Sequence, residues 1–129
     1  MLHHLSLGVR DLTLSIRFYD AVLAELGLVR VWSDLRPGEA GQGVGYGPVG
    51  ADDLLALKQR DEACASPGFH LALVAGSHEA VERFHACALA CGGADAGVPG
   101  LRPQYGARYY AAFVTDPDGH RLEAVCLGP

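Results

Sequence analysis

The stretch HLSLGVRDLTLSIRFYDAVLAELGL, residues 4–28, decides the fold because a similar stretch occurs a second time. The second copy is HLALVAGSHEAVERFHACALACGGA, residues 70–94. Each copy opens with a histidine on an alternating apolar strand, turns at a polar residue and continues with apolar residues spaced three and four apart. Each then ends at glycine, which commonly stops a helix. The repeat therefore predicts two modules that both begin as strand then helix.

Asp11 and Ser77 are the predicted N-caps of the two helices, since their side chains can accept hydrogen bonds from free backbone N–H groups. Short β-like runs separated by Gly and Pro follow each helix. The fold is thus predicted to be α+β, with two βαβββ modules that combine their sheets around a shared concavity. Neither module has enough apolar area to fold alone, so one domain is expected. Module one covers about 1–60, the linker 61–68 and module two about 69–129, with later strands near 28–33, 44–47, 53–59, 94–98, 109–115 and 121–127.

The composition is that of an ordinary globular protein, with 129 residues, 50% of them hydrophobic and 19% charged. The net charge of −5 comes with no Lys/Arg run, which argues against nucleic acid as a partner. No apolar stretch approaches the ~20 residues that span a bilayer, and no secretory signal is visible, so a cytoplasmic protein without a membrane partner is expected. The four cysteines form no C-x-x-C pair and are predicted to be free, mostly buried thiols.

Three residues are candidate ligands of a metal site. His4 and His70 occupy matching positions in the two repeats, and Glu123 lies inside the apolar run LEAV near the C-terminus. If the three share one face of the sheet, two imidazoles and a carboxylate converge in a cavity, a donor set that suits divalent ions and leaves positions open for water and substrate. Each residue taken alone is more simply a hydrogen-bonded histidine or a glutamate that reaches solvent.

The sequence resembles the vicinal oxygen chelate superfamily, which contains glyoxalase I, extradiol dioxygenases, fosfomycin-resistance enzymes and bleomycin-binding proteins. The resemblance lies in residues 3–28, in GFHLAL at 68–73 and in YYAAFVTDPDGHRLEAVCL at 109–127. It implies a cupped mixed sheet, a small-molecule substrate and a homodimer. It also implies a divalent metal, Fe, Mn, Ni or Zn, with ligands from the first and last strands of the modules. These ligands are His4, His70 and Glu123.

The remaining ligand position of the superfamily falls in DDLLALKQ, residues 52–59, on Leu55, Ala56 or Leu57. All three are apolar, so the fourth protein ligand of glyoxalase I is absent. Two histidines and one glutamate match the set of the extradiol dioxygenases instead. Lyase, isomerase and dioxygenase chemistry all stay open, and a metal-free, bleomycin-resistance-like binding protein is the alternative.

The stretch RPQYGARYY, residues 102–110, supplies candidates for contact with the substrate. Tyr105, Arg108 and Tyr110 are predicted to orient an anionic or phenolic molecule or to supply a proton. Trp32 and Tyr46 are expected either to wall the pocket from the first module or to fill the core.

Overall fold

The computed structural model describes residues 1–129 and contains the βαβββ pattern twice, which confirms the predicted fold class. The connection between the modules has no helix or strand. Neither helix combines the length and the apolar character that crossing a membrane would require. The elements are β1 (Leu5–Val9), α1 (Leu12–Ala24), β2 (Val29–Asp34), β3 (Gly43–Gly47), β4 (Leu55–Gln59), β5 (Leu71–Val74), α2 (His78–Ala90), β6 (Ala94–Leu101), β7 (Tyr110–Thr115) and β8 (Arg121–Cys126).

Both helices begin at the predicted caps. The carboxylate of Asp11 accepts a hydrogen bond from the backbone N–H of Leu14 at 3.0 Å. The hydroxyl oxygen of Ser77 accepts from the N–H of Ala80 at 3.0 Å. Each bond satisfies one of the backbone donors that a helix start leaves free, an arrangement that stabilises a helix by about 1 kcal/mol.

Each module builds its own four-stranded mixed sheet, with the orders β1-β4-β3-β2 and β5-β8-β7-β6. In each sheet the first strand of the module runs parallel to the last, and the other pairs are antiparallel. The first strands, β1 and β5, are therefore edge strands. Because they do not pair with each other, the two sheets stay separate within one chain.

The core lies between the helices and the sheets and is shared by both modules. Helix α1 packs on the first sheet, α2 packs on the second, and the helices contact each other. Buried aromatic residues such as Phe18, Tyr19 and Phe84 fill this space, and each contributes up to about 3 kcal/mol through its burial. Polar contacts also join the modules: the Tyr19 hydroxyl donates to Asp116 at 2.6 Å, and His120 Nε2 lies 2.8 Å from the carbonyl oxygen of Gly8.

The opposite face of the second sheet is open and carries the candidate site. Leu122, Ala124 and Cys126 belong to the shared core. Strand alternation therefore places Glu123 on the face that points away from the helices. All four cysteines are free as predicted, but the expectation that most are buried is wrong, because Cys126 alone is buried and Cys64 is exposed.

Candidate functional site

Strands β5 and β8 bring His70 and Glu123 together. Glu123 lies in the middle of β8, opposite Ala72 of β5, and His70 immediately precedes β5. The Nε2 atom of His70 is 2.6 Å from Oε1 of Glu123. The histidine is exposed, whereas only 3% of the glutamate surface is accessible. A buried carboxylate thus meets an accessible imidazole at the surface of the sheet.

The surroundings of Glu123 are unusual for a buried acid. A carboxylate removed from water normally requires a cationic partner or several hydrogen bonds. No arginine or lysine forms an ion pair with Glu123, and its ion-pair partner is His70. Its second oxygen accepts a hydrogen bond from the Tyr109 hydroxyl at 2.5 Å. The carboxylate is therefore fixed in place by an imidazole and a phenol. An imidazole nitrogen and a carboxylate oxygen are also a pair of ligand atoms that suits a divalent metal ion.

Tyr109 acts on Glu123 as a hydrogen-bond donor. The pKa of Tyr109 is raised to about 12, mainly by the hydrogen bond to Glu123 and secondly by partial burial. The phenol therefore keeps its proton at neutral pH and continues to orient the carboxylate. Interactions of this kind around a metal ligand hold its lone pairs in a fixed direction.

His70 and Glu123 face a pocket of about 280 Å³ with aromatic walls. The ring of Phe113 meets the His70 ring edge-on, with 5.6 Å between centroids. Tyr105 and Tyr109 form a tilted pair at 5.3 Å on the other side. An apolar wall next to a few convergent polar groups is typical of small-molecule sites.

His4 does not join this pair within one chain. It precedes β1 in the first module, is exposed, and has its Nδ1 atom 2.8 Å from Nδ1 of His3. No group of three His, Cys, Asp or Glu side chains in the chain is arranged to hold a metal ion. The structure therefore brings together two of the three predicted ligands.

Residues 1–124 match the family model of the glyoxalase/bleomycin resistance protein/dioxygenase superfamily. The chain belongs to this superfamily. It is similar to a glyoxalase/bleomycin resistance protein from Albidiferax ferrireducens T118, with 30% identity, 98% of this chain and 97% of the other covered, and a TM-score of 0.74. No curated protein sequence matches the chain.

Two more distant structures share the fold. A glyoxalase-related enzyme from Fulvimarina pelagi has 22% identity and a TM-score of 0.70, with 98% of this chain and 87% of the other covered. A genomically encoded fosfomycin resistance protein from Listeria monocytogenes has 19% identity and a TM-score of 0.70, with 100% of this chain and 93% of the other covered.

The strand register identifies the residue of the first module that corresponds to Glu123. In the second module, Ala72 of β5 lies opposite Glu123 of β8. In the first module, the equivalent residue of β1, Ser6, lies opposite Ala56 of β4. Ala56 is therefore the counterpart of Glu123, so the first module has a methyl group where the second has a carboxylate.

The three residues predicted to contact the substrate lie in different places. Tyr105 lines the pocket beside His70 and Glu123. Arg108 is exposed and makes no hydrogen bond or ion pair. The expectation that Tyr110 faces the site does not hold, because its hydroxyl donates to Glu82 of α2 at 2.9 Å and its ring stacks on His78 at 3.9 Å.

Tyr109 takes the place expected for Tyr110. The register of the β7–β8 hairpin decides this, because residues directly opposite on antiparallel strands share a face. Phe113 pairs with Glu123, so odd-numbered residues before Phe113 lie on the face of Glu123.

The two aromatic residues predicted either to wall the pocket or to fill the core, Tyr46 and Trp32, also lie in different places. Tyr46 is fully buried in the core and its hydroxyl donates to Asp20 at 2.8 Å. Trp32 lies over Gly45, where an added Cβ would come within 2.1 Å of its ring nitrogen, and donates to Asp53 at 3.1 Å. Neither residue lines the His70 pocket of the same chain.

Proposed function

We propose that the chain is a metal-dependent enzyme that acts on an oxygen-rich or aromatic small molecule, with lyase, isomerase or dioxygenase chemistry. When bound, a divalent ion such as Fe, Mn, Ni or Zn supplies Lewis-acid stabilisation of negative charge on vicinal oxygens of the substrate. Superfamily membership supports the proposal, because members often use divalent metals and act on small molecules.

The observation that carries the proposal is the contact of His70 Nε2 with the buried carboxylate of Glu123 at 2.6 Å. In a purely structural role, a carboxylate on the open face of a sheet would reach water or pair with an arginine. Here it is held inward, toward an accessible imidazole and the pocket. His70 and Glu123 would be metal ligands, and Tyr109 would keep the carboxylate oriented through its hydrogen bond.

The third ligand in this proposal is His4 of a second copy of the chain. His4 is exposed and adjoins the edge strand β1, while His70 adjoins the edge strand β5. A twofold-symmetric homodimer can bring β1 of one copy beside β5 of the other, and then both sites are completed at once. Such pairing also covers two edge strands that a single chain leaves free.

The remaining residues have roles that follow from their positions. Phe113 and Tyr105 provide apolar surface against which a flat substrate can pack. Tyr105 is 63% exposed at the pocket mouth and is free to contact the substrate with its hydroxyl. Arg108 lies between the two pocket tyrosines on an exposed turn, where it can attract an anionic substrate.

Metal analysis of the protein, purified without chelator or histidine tag, tests this function. The expected result is stoichiometric binding of one or more of Fe(II), Mn(II), Ni(II) and Zn(II) by calorimetric titration. Absence of bound metal and of binding on titration would contradict the proposal and favour a metal-free, drug-binding protein.

A further inference from the structure

A second cleft adjoins the His70 pocket and is positively charged. It has a volume of about 290 Å³ and shares His70, Tyr105 and Phe113 with the first pocket. Arg102 and Arg121 also line it. The two clefts therefore form a continuous surface that runs from the carboxylate of Glu123 to two guanidinium groups.

Arg102 has no carboxylate partner, although the chain carries a net charge of −5. Its guanidinium donates instead to the backbone carbonyls of Val98 at 2.6 Å and Gly100 at 2.9 Å. It also lies over the ring of Phe113, 5.3 Å from the centroid. An arginine has five N–H donors, so these contacts fix the group and leave donors free for a ligand.

The backbone of β6 makes room for this guanidinium. A Cβ at Gly97 would lie 3.3 Å from Nη2 of Arg102, and a Cβ at Gly100 would lie 3.2 Å from Nη1. The pairing of β6 with β7 also shifts register between these two glycines, as expected for a bulge. The arginine is thus held in one orientation before any ligand arrives, which lowers the entropic cost of binding.

Arg121 adds a second positive charge on the same side. It precedes Glu123 by two residues on β8, so both lie on the same face of the sheet. It is exposed and, like Arg102, forms no ion pair. By contrast, Arg10, Arg30, Arg36 and Arg83 all pair with carboxylates.

We propose that Arg102, assisted by Arg121, binds an acidic group of the substrate that is separate from the oxygens held at His70 and Glu123. This inference rests on the proposed function and narrows its substrate class to anions, with a flat apolar body against Phe113 and a carboxylate or similar group at Arg102. Planar guanidinium groups bind such groups through paired, charge-assisted hydrogen bonds.

The test compares two probes of the same shape that differ in charge, 3,4-dihydroxybenzoate and 3,4-dihydroxybenzamide, by calorimetry on zinc-loaded and metal-free protein. The wild type is expected to bind the benzoate at least ~10-fold more tightly than the amide, as for a charge-assisted hydrogen bond. Arg102→Gln is expected to abolish this preference. Arg17→Gln removes an exposed arginine of α1 that also lacks an ion pair, and is expected to keep the preference.

Equal binding of the two probes by the wild type would overturn the inference, and so would an unchanged preference in Arg102→Gln. Failure of both probes to bind in the millimolar range, with and without zinc, would overturn it as well. The preference is a ratio of affinities, so a general loss of stability in the variant does not imitate the expected result. Zinc titration of the wild type reports separately on the proposed function, since Arg102 forms no hydrogen bond with His70 or Glu123.

Discussion

At the scale of single residues, Glu123 is a carboxylate whose burial costs stability and which is the proposed anionic metal ligand. Its carboxylate is buried on the open face of the sheet with an imidazole and a phenol as partners. Replacing Glu123 by Gln keeps the shape but removes the anionic ligand. We therefore expect the zinc or manganese affinity to fall at least ~10-fold, as is typical when a metal site is perturbed. Calorimetric titration measures the change.

Glu82→Gln is the matched control for this substitution, because it removes an exposed glutamate of α2 outside the pocket. We expect the control to bind metal like the wild type. Circular dichroism of both variants should show an unchanged fold. Wild-type metal affinity in Glu123→Gln would exclude Glu123 as a ligand.

The titration of Tyr109 reports on the same carboxylate without any metal. Its pKa is raised to about 12, chiefly by the hydrogen bond to Glu123, from the ordinary value of about 10. In Glu123→Gln we expect the pKa of Tyr109 to fall toward 10, which NMR of ring-labelled tyrosine measures. A pKa that stays near 12 in the variant would show that burial and not Glu123 causes the shift.

The raised pKa of Tyr109 also makes the stability of the folded state depend on pH. The folded state holds the proton of Tyr109 more tightly than the unfolded chain does. The resulting stabilisation is complete below pH about 10 and is lost as the pH rises through about 12. Denaturation across this range should show a larger loss in the wild type than in Tyr109→Phe, which keeps the contributions of the other tyrosines with raised pKa values, Tyr19, Tyr46 and Tyr110.

The sequence predicted His70, Glu123 and Tyr110 for the site, and the structure places His70 beside Glu123 but has Tyr109 where Tyr110 was expected. The prediction of His70 and Glu123 depended on repeat position, apolar context and the resemblance to the superfamily. Choosing between Tyr109 and Tyr110 required the register of the β7–β8 hairpin, in which Thr115 pairs with Arg121. A shift of one residue in that register exchanges the two faces of a strand, and the turn residues between 116 and 120 do not fix it by themselves.

At the scale of elements, helix starts could be predicted more accurately than strand ends. A helix cap depends on hydrogen bonds between residues close in sequence, whereas the end of a strand depends on pairing with residues far away in the chain. The predicted strand 94–98 ends before Pro99, but β6 continues through Pro99 to Leu101. Because β6 is an edge strand, Pro99 does not have to supply a hydrogen bond to a second neighbour, and edge positions tolerate proline.

Strand β3 offers a direct test of packing on the open face of the first sheet. A Cβ at Gly45 would lie 2.1 Å from Nε1 of Trp32, so Gly45→Ala must displace the indole and its hydrogen bond to Asp53. We expect the free energy of unfolding to fall by about 1–3 kcal/mol, as for an overpacked contact. Gly76→Ala is the control, since nothing lies within 4 Å of its added Cβ. Equal stability of the two variants in urea would contradict this packing.

At the scale of the whole molecule, each sheet has two edge strands, β1 and β2 in the first sheet and β5 and β6 in the second. The repeat in the sequence predicted two matching modules, and the structure contains them. It could not predict that His4 and His70 lie apart within one chain, and in the proposed homodimer their approach depends on a second copy. We expect light scattering at micromolar concentration to give about twice the mass of one chain. A mass of one chain would contradict the proposed homodimer.

Metal binding by a mixed dimer of His4→Ala and His70→Ala chains, isolated with two different histidine-free tags, tests the shared site most directly. If each site takes His4 from one copy and His70 with Glu123 from the other, both substitutions fall in one site and the second site is intact. The mixed dimer should then bind one metal ion with wild-type affinity, while neither variant alone binds with that affinity. Absence of tight binding by the mixed dimer would contradict a site built from two copies.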